Sequence, residues 1–121
     1  MARKITKTIA DAFNNRSSKT VNNTRTDGDS VWLHDNLIIR RNTTTGDIWF
    51  TLAGWGTPTT KERINGIVPS VRVHTSKGTH YASGFEHRSD TIMIGVNDWI
   101  NATTGELLTD VDTDALASFS V

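Results

Sequence analysis

The stretch SVWLHDNLIIRRNTTTGDIWFTLA, Ser30 to Ala53, decides the fold. Val31 and Leu33 alternate with Trp32 and His34, and further on Ile48, Phe50 and Leu52 alternate with Trp49 and Thr51. Successive side chains of a strand point to opposite sides, so this period of two predicts strands with two unlike faces. Turn residues stand between the runs: Asp35-Asn36 before Leu37–Arg41, and Thr45-Gly46 before Asp47–Ala53. Turns this short leave each strand only its chain neighbour to pair with, which makes an antiparallel meander.

The same texture extends both ways. Upstream, Val21–Thr26 reads as a strand that Asp27-Gly28-Asp29 turns into Ser30. Downstream, Val71 and Val73 lead a strand, Ser76-Lys77-Gly78 turns it, and Thr79–Ala82 returns. Thr91–Ile94 reads as another, and Trp99-Ile100 and Glu106–Leu108 flank a hairpin turn. Two segments break the pattern. Ile5, Ile9 and Phe13 lie four apart with Ala10 and Ala12 between them, which predicts a short amphipathic helix over residues 4–15. Thr59 with Glu62 three residues on is a capping-box spacing, and Thr57-Pro58 offers a second cap, so a short helix is predicted over 59–65. The tail from Asp112 to Phe119 reads as a short helix or a frayed end. No repeat or linker interrupts the chain. Residues 1–121 are therefore expected to form a single α+β domain, mostly β, with an N-terminal helix and a second helix near 59–65.

Composition narrows the function. The 121 residues contain no cysteine, which excludes disulfides, thiolate metal sites and cysteine nucleophiles. Neither a signal-peptide apolar run nor a membrane-spanning segment is visible, so a cytoplasmic protein with no membrane partner is expected. Net charge is zero but lopsided: Arg3, Lys4, Lys7, Arg16, Lys19 and Arg25 crowd the beginning, while Asp98, Glu106, Asp110, Asp112 and Asp114 crowd the end. Such a beginning could be a basic arm for nucleic acid, or the two ends could lie on each other.

The candidates for chemistry thin out quickly. His34, His74, His80 and His87 show no metal-ligand spacing. His74 and His80 read as cross-strand neighbours on an exposed sheet face, with polar partners rather than a metal. Asp110, Asp112 and Asp114 begin like a calcium loop, which then fails at Ala115 and Val121. No nucleophile elbow or phosphate-cradling glycine motif occurs. A non-enzymatic protein without metal or cofactor is expected.

The segment Trp55–Asn65 differs. A helix start presents unpaired N–H groups that favour anions. Here it carries Thr57, Thr59 and Thr60, with Lys61, Arg63 and Asn65 following, Trp55 preceding, and Arg25 and His34 on neighbouring strands. Hydroxyls, amides, cations and an aromatic face together suit a phosphate-bearing ligand with a stackable base. Capping by the threonines, with Trp55 in the core and Lys61 and Arg63 in solvent, explains the same residues without a ligand.

The blocks Asn23–Thr26, Val31–Ile38 and Thr51–Asn65 resemble a group of small tailed-phage proteins, in which glycine often stands at the position of Asp35. The likeness spans residues 19–67 and implies a phage accessory protein, without bringing catalytic residues. Proteins of that kind bind a host factor or sequester a nucleotide signal of host defence. The expected partner is accordingly a nucleotide or a host protein, and the expected state a homo-oligomer, because a ligand-sized pocket is hard to carve from so small a core.

Overall fold

The computed structural model describes residues 3–108. Helix α1 (Lys4–Asn14) comes first, followed by strands β1 (Lys19–Val21), β2 (Thr24–Thr26), β3 (Ser30–Leu33), β4 (Asn36–Arg41) and β5 (Ile48–Phe50). Helix α2 (Pro58–Ile67) then leads to β6 (Arg72–Ser76), β7 (Thr79–Ser83), β8 (Ile92–Ile94), β9 (Trp99–Asn101) and β10 (Leu107–Leu108). All pairings are antiparallel. One sheet runs β1-β2-β3-β4-β5-β9-β10 and the other β6-β7-β8. This is the mostly β, α+β architecture that the period-two stretches predict. The second helix is a turn longer than the capping signals implied, because Pro58 starts it and Asn65-Gly66 does not stop it.

One predicted strand is two. Residues Val21–Thr26 fold as a hairpin, with Asn22 in the left-handed region at φ 52°. Asparagine tolerates that conformation, so Asn22-Asn23 is a turn where the apolar pattern suggested a continuous strand. A second correction follows from register. Thr75 stands opposite His80, and His74 stands opposite Tyr81 with the rings stacked at 5.5 Å. Partners across a ladder share a face, so His74 and His80 lie on opposite faces of the small sheet.

The core lies between the inner face of the large sheet and a cover of α1, α2 and the small sheet. Ile9 and Phe13 from α1 meet Val31, Leu33, Ile39 and Phe50 from the sheet, Ile64 and Ile67 from α2, and Val73 and Ile92 from the small sheet. Each fully buried side chain of this size contributes about 1.5–3 kcal/mol. Trp49 and Trp99 pack together on the other face with Leu37 and Leu108.

The ladder between β3 and β4 is irregular. Val31 faces Ile39 and Trp32 faces Leu37, which leaves Ile38 as the extra residue of a bulge. The bulge lets Ile38 and Ile39, adjacent in sequence, both be buried. The N-terminal basic residues form no free arm. Lys4 and Lys7 lie on the packed α1, and Arg16 pairs with Asp29 at 2.7 Å. The acidic tail at Asp110–Asp114 and the helix proposed over Asp112–Phe119 lie outside the described residues. Among the described residues, no helix is long and apolar enough to cross a membrane, and no cluster of three or more potential ligands could hold a metal.

Candidate functional site

A cleft of about 500 Å³ opens where three segments converge: the β3–β4 turn, the loop after β5, and the start of α2. Leu33, Ile38 and Leu52, all buried, make an apolar floor. His34 and Asn36 stand on one side, Ala53 and Trp55 on another, and Thr57, Thr59 and Thr60 on the third.

Local backbone geometry builds each wall. The β3–β4 connection is a two-residue turn at His34 (φ 50°) and Asp35 (φ 65°), the left-handed pair whose twist matches that of paired strands. It sits one residue earlier than the Asp35-Asn36 turn read from sequence, so His34 and Asn36 flank Asp35 at the cleft. Ala53 (φ 55°) and Gly54 (φ 82°) make another left-handed pair, and the Gly54 N–H donates to the Val96 carbonyl at 2.8 Å. That bend lifts Trp55 to the lip, where 59% of it is exposed. A tryptophan exposed on the rim of an apolar hollow presents an aromatic face there.

The start of α2 is closed by its own side chain. Thr57 caps the helix, its Oγ1 accepting from the Thr60 N–H at 3.2 Å, and its carbonyl accepts from the Lys61 N–H. Pro58 has no N–H to offer, which leaves Thr59 alone among the first-turn amides. The expected cradle of bare amides is therefore absent. The threonines serve the cleft as hydroxyl-bearing walls instead.

The cationic part of the predicted site is rearranged as well. Arg63 is 1% exposed. Its guanidinium donates to Thr24 Oγ1 and Thr6 Oγ1, both at 3.0 Å, to Asn23 Oδ1 at 3.4 Å, and to the Glu62 carboxylate. It ties α1, α2 and β2 together and is out of a ligand's reach. Arg25 stacks over the Trp32 ring at 4.1 Å and lies 3.8 Å from Asp35, and it does not line the cleft. Asn65 brackets the backbone of Val73, accepting from its N–H at 2.7 Å and donating to its carbonyl at 3.0 Å. Lys61 lies along a neighbouring groove, its Nζ donating to Thr75 Oγ1. Of the nine predicted residues, His34, Trp55, Thr57, Thr59 and Thr60 converge on the cleft, while Arg25, Lys61, Arg63 and Asn65 do not.

Burial acts on Glu62 by raising its pKa, but hydrogen bonds from Thr6, the Arg3 N–H and Arg63 outweigh that and hold the carboxyl below its ordinary value of 4.5. The buried network reaches the cleft through Asn23. Its Oδ1 already accepts from Thr24 Oγ1 and Arg63, so its amide nitrogen faces His34 Nε2 at 3.4 Å. An N–H donor there requires Nε2 to be the acceptor, which puts the imidazole proton on Nδ1.

Two groups of residues escaped the sequence reading. Asn36 and the floor residues Leu33, Ile38 and Leu52 carried no signal beyond strand alternation. Thr75 and His80 did carry one: a two-residue turn at Lys77-Gly78 sets Ser76 opposite Thr79, and hence Thr75 opposite His80.

No curated protein and no solved structure matches the chain. A family model does match, over residues 2–106 and thus nearly the whole described structure, including α1 and strands β6 to β9 that lay beyond the earlier resemblance. It is the model of the Kyanoviridae Gp96 protein, and the chain belongs to that phage protein family.

Proposed function

We propose that this phage protein is a non-enzymatic binding protein that sequesters a nucleotide-like small molecule, with the ligand's flat ring lying in the cleft against Trp55. The carrying observation is the exposed indole at the lip of an apolar-floored hollow. The volume of about 500 Å³ falls in the range of small-molecule sites. The walls supply hydroxyls, one carboxamide and one imidazole, which suit the polar edge of a heterocycle. His34 is the one titratable side chain on the lining, a poor endowment for acid–base catalysis and a sufficient one for recognition. The chain's phage family gives the setting, and the molecule we propose to be withheld there is a nucleotide signal of host defence.

The test is calorimetric titration with cyclic oligonucleotides and ADP-ribose-type signals, paired with Trp55→Ala. Stacking of a base on an aromatic ring is worth about 1–3 kcal/mol, so the substitution weakens binding about 5- to 150-fold. Thermal stability should not change, because most of the indole is in solvent. If every compound binds more weakly than about 100 µM, equivalent to ~5 kcal/mol, the reading is wrong. Native mass spectrometry of freshly purified protein reports any retained ligand together with the assembly mass.

A second reading has its own observation. Met93 is 67% exposed on β8, an edge strand of the small sheet. A large apolar side chain on an open edge suits docking of a host or defence protein. Capture of a defined host protein by the wild-type chain and not by Met93→Lys, with no small molecule retained, supports it.

A further inference from the structure

Lys61, Thr75 and His80 come from three different elements and meet behind the cleft lip. Lys61 Nζ donates to Thr75 Oγ1, and Thr75 Oγ1 lies 2.8 Å from His80 Nδ1. An ammonium can only donate, so the Thr75 oxygen accepts from it, and its hydroxyl proton remains to donate to Nδ1 in the tautomer protonated at Nε2. In that tautomer Nδ1 is the acceptor of the imidazole and Nε2 is the donor. Lys61 is left with two further N–H donors. Among the described residues it has no carboxylate within ion-pair distance, a property it shares with the other lysines.

The position of His80 ties this cluster to the cleft. A Cβ built on Gly56 would lie 2.3 Å from His80 Cε1 and 2.4 Å from Nε2. Gly56 is not among the residues with positive φ, so the glycine is there for space and not for backbone conformation. The imidazole occupies the place of a side chain between Trp55 and Thr57, both on the cleft lining. Its Nε2 therefore sits against the lip itself.

We infer that Lys61, Thr75 and His80 form a phosphate-binding site that receives the charged end of a ligand whose ring stacks on Trp55. The inference rests on the cleft reading and completes it, since no lysine or arginine lines the cleft. An ammonium and an N–H donor on a solvent-exposed wall suit a phosphate, whose oxygens accept charge-assisted hydrogen bonds. Thr75 holds the other two side chains at a fixed spacing.

The experiment compares common nucleosides with their monophosphates on wild-type protein, Lys61→Met and His80→Gln, and titrates inorganic phosphate alone. Neither substitution touches the core. A monophosphate should bind about tenfold more tightly than its nucleoside, and the gain should vanish in both variants while nucleoside affinity is unchanged. Phosphate alone should shift the Gly56 amide and His80 imidazole resonances in wild type and leave them in place in Lys61→Met. Nucleosides that bind as well as their monophosphates, or a gain that survives Lys61→Met, overturn the phosphate site and leave the cleft standing. Resonance shifts by phosphate with no binding of any nucleoside do the reverse.

Discussion

Replacing Arg63 with alanine removes a guanidinium that is 1% exposed and donates to four residues. Three losses add. The Glu62 carboxylate, partly buried, is left without its cation; Thr24 and Asn23 lose a donor in the interior; and a void opens among α1, α2 and β2. Removal of one partner of a buried ion pair costs about 3–5 kcal/mol. For a domain between the small and mid-sized classes, 1 kcal/mol moves the melting midpoint by roughly 3–6 °C, so a fall of about 9–30 °C is expected. Scanning calorimetry of Arg63→Ala, Glu62→Gln and the double variant reads it, and the double variant should lose less than the sum because the two groups act on each other. Arg63→Met keeps volume and should recover about 1–2 kcal/mol over alanine. A loss under ~1 kcal/mol for Arg63→Ala, with ligand affinity reduced instead, would refute the assignment of Arg63 to structure and return it to the binding site.

Three further outcomes are expected. The carboxyl of Glu62 has its folded pKa depressed, so its contribution to stability is complete above the unfolded value near 4.5 and is lost as pH falls through the folded one. Denaturation followed between pH 6 and 3 should therefore be less acid-sensitive in Glu62→Gln, and parallel wild-type and variant curves would remove Glu62 from the account. Asn65→Leu leaves the Val73 N–H and carbonyl without their partner and should cost about 1–3 kcal/mol in chemical denaturation, with faster amide exchange at Val73. Thr57→Ala removes the cap of α2 and should cost about 1 kcal/mol, while Thr57→Ser should be nearly neutral by the same denaturation.

The architecture was legible because its signals are local. The spacing of Ile5, Ile9 and Phe13 placed α1 to within a residue of Lys4–Asn14, and alternation with short turns placed the hairpins from β3 to β5. The site was legible in part for the opposite reason. Trp55 and the threonines are adjacent in sequence, so their convergence needed only one bend and one cap. Arg63 was misread because its acceptors, Thr24 and Thr6, stand 39 and 57 residues away. A sharper use of helical period would have helped, since Thr60, Arg63, Ile64 and Ile67 trace one buried stripe. Thr75 and His80 were within reach of the turn at Lys77-Gly78, once the pairing was counted out from it.

Ile38, the extra residue of the β3–β4 ladder, has a larger bearing than its size suggests. Delete that one residue and the hairpin could zip into a uniform ladder, an arrangement local hydrogen bonding would welcome; yet the hollow would lose a third of its base. Hairpins that differ in length by a single residue at this point would thus share a fold but not a concavity. Conservation of hairpin length, rather than of any one polar side chain, is the signature by which relatives that keep the hollow could be told from those that keep only the scaffold.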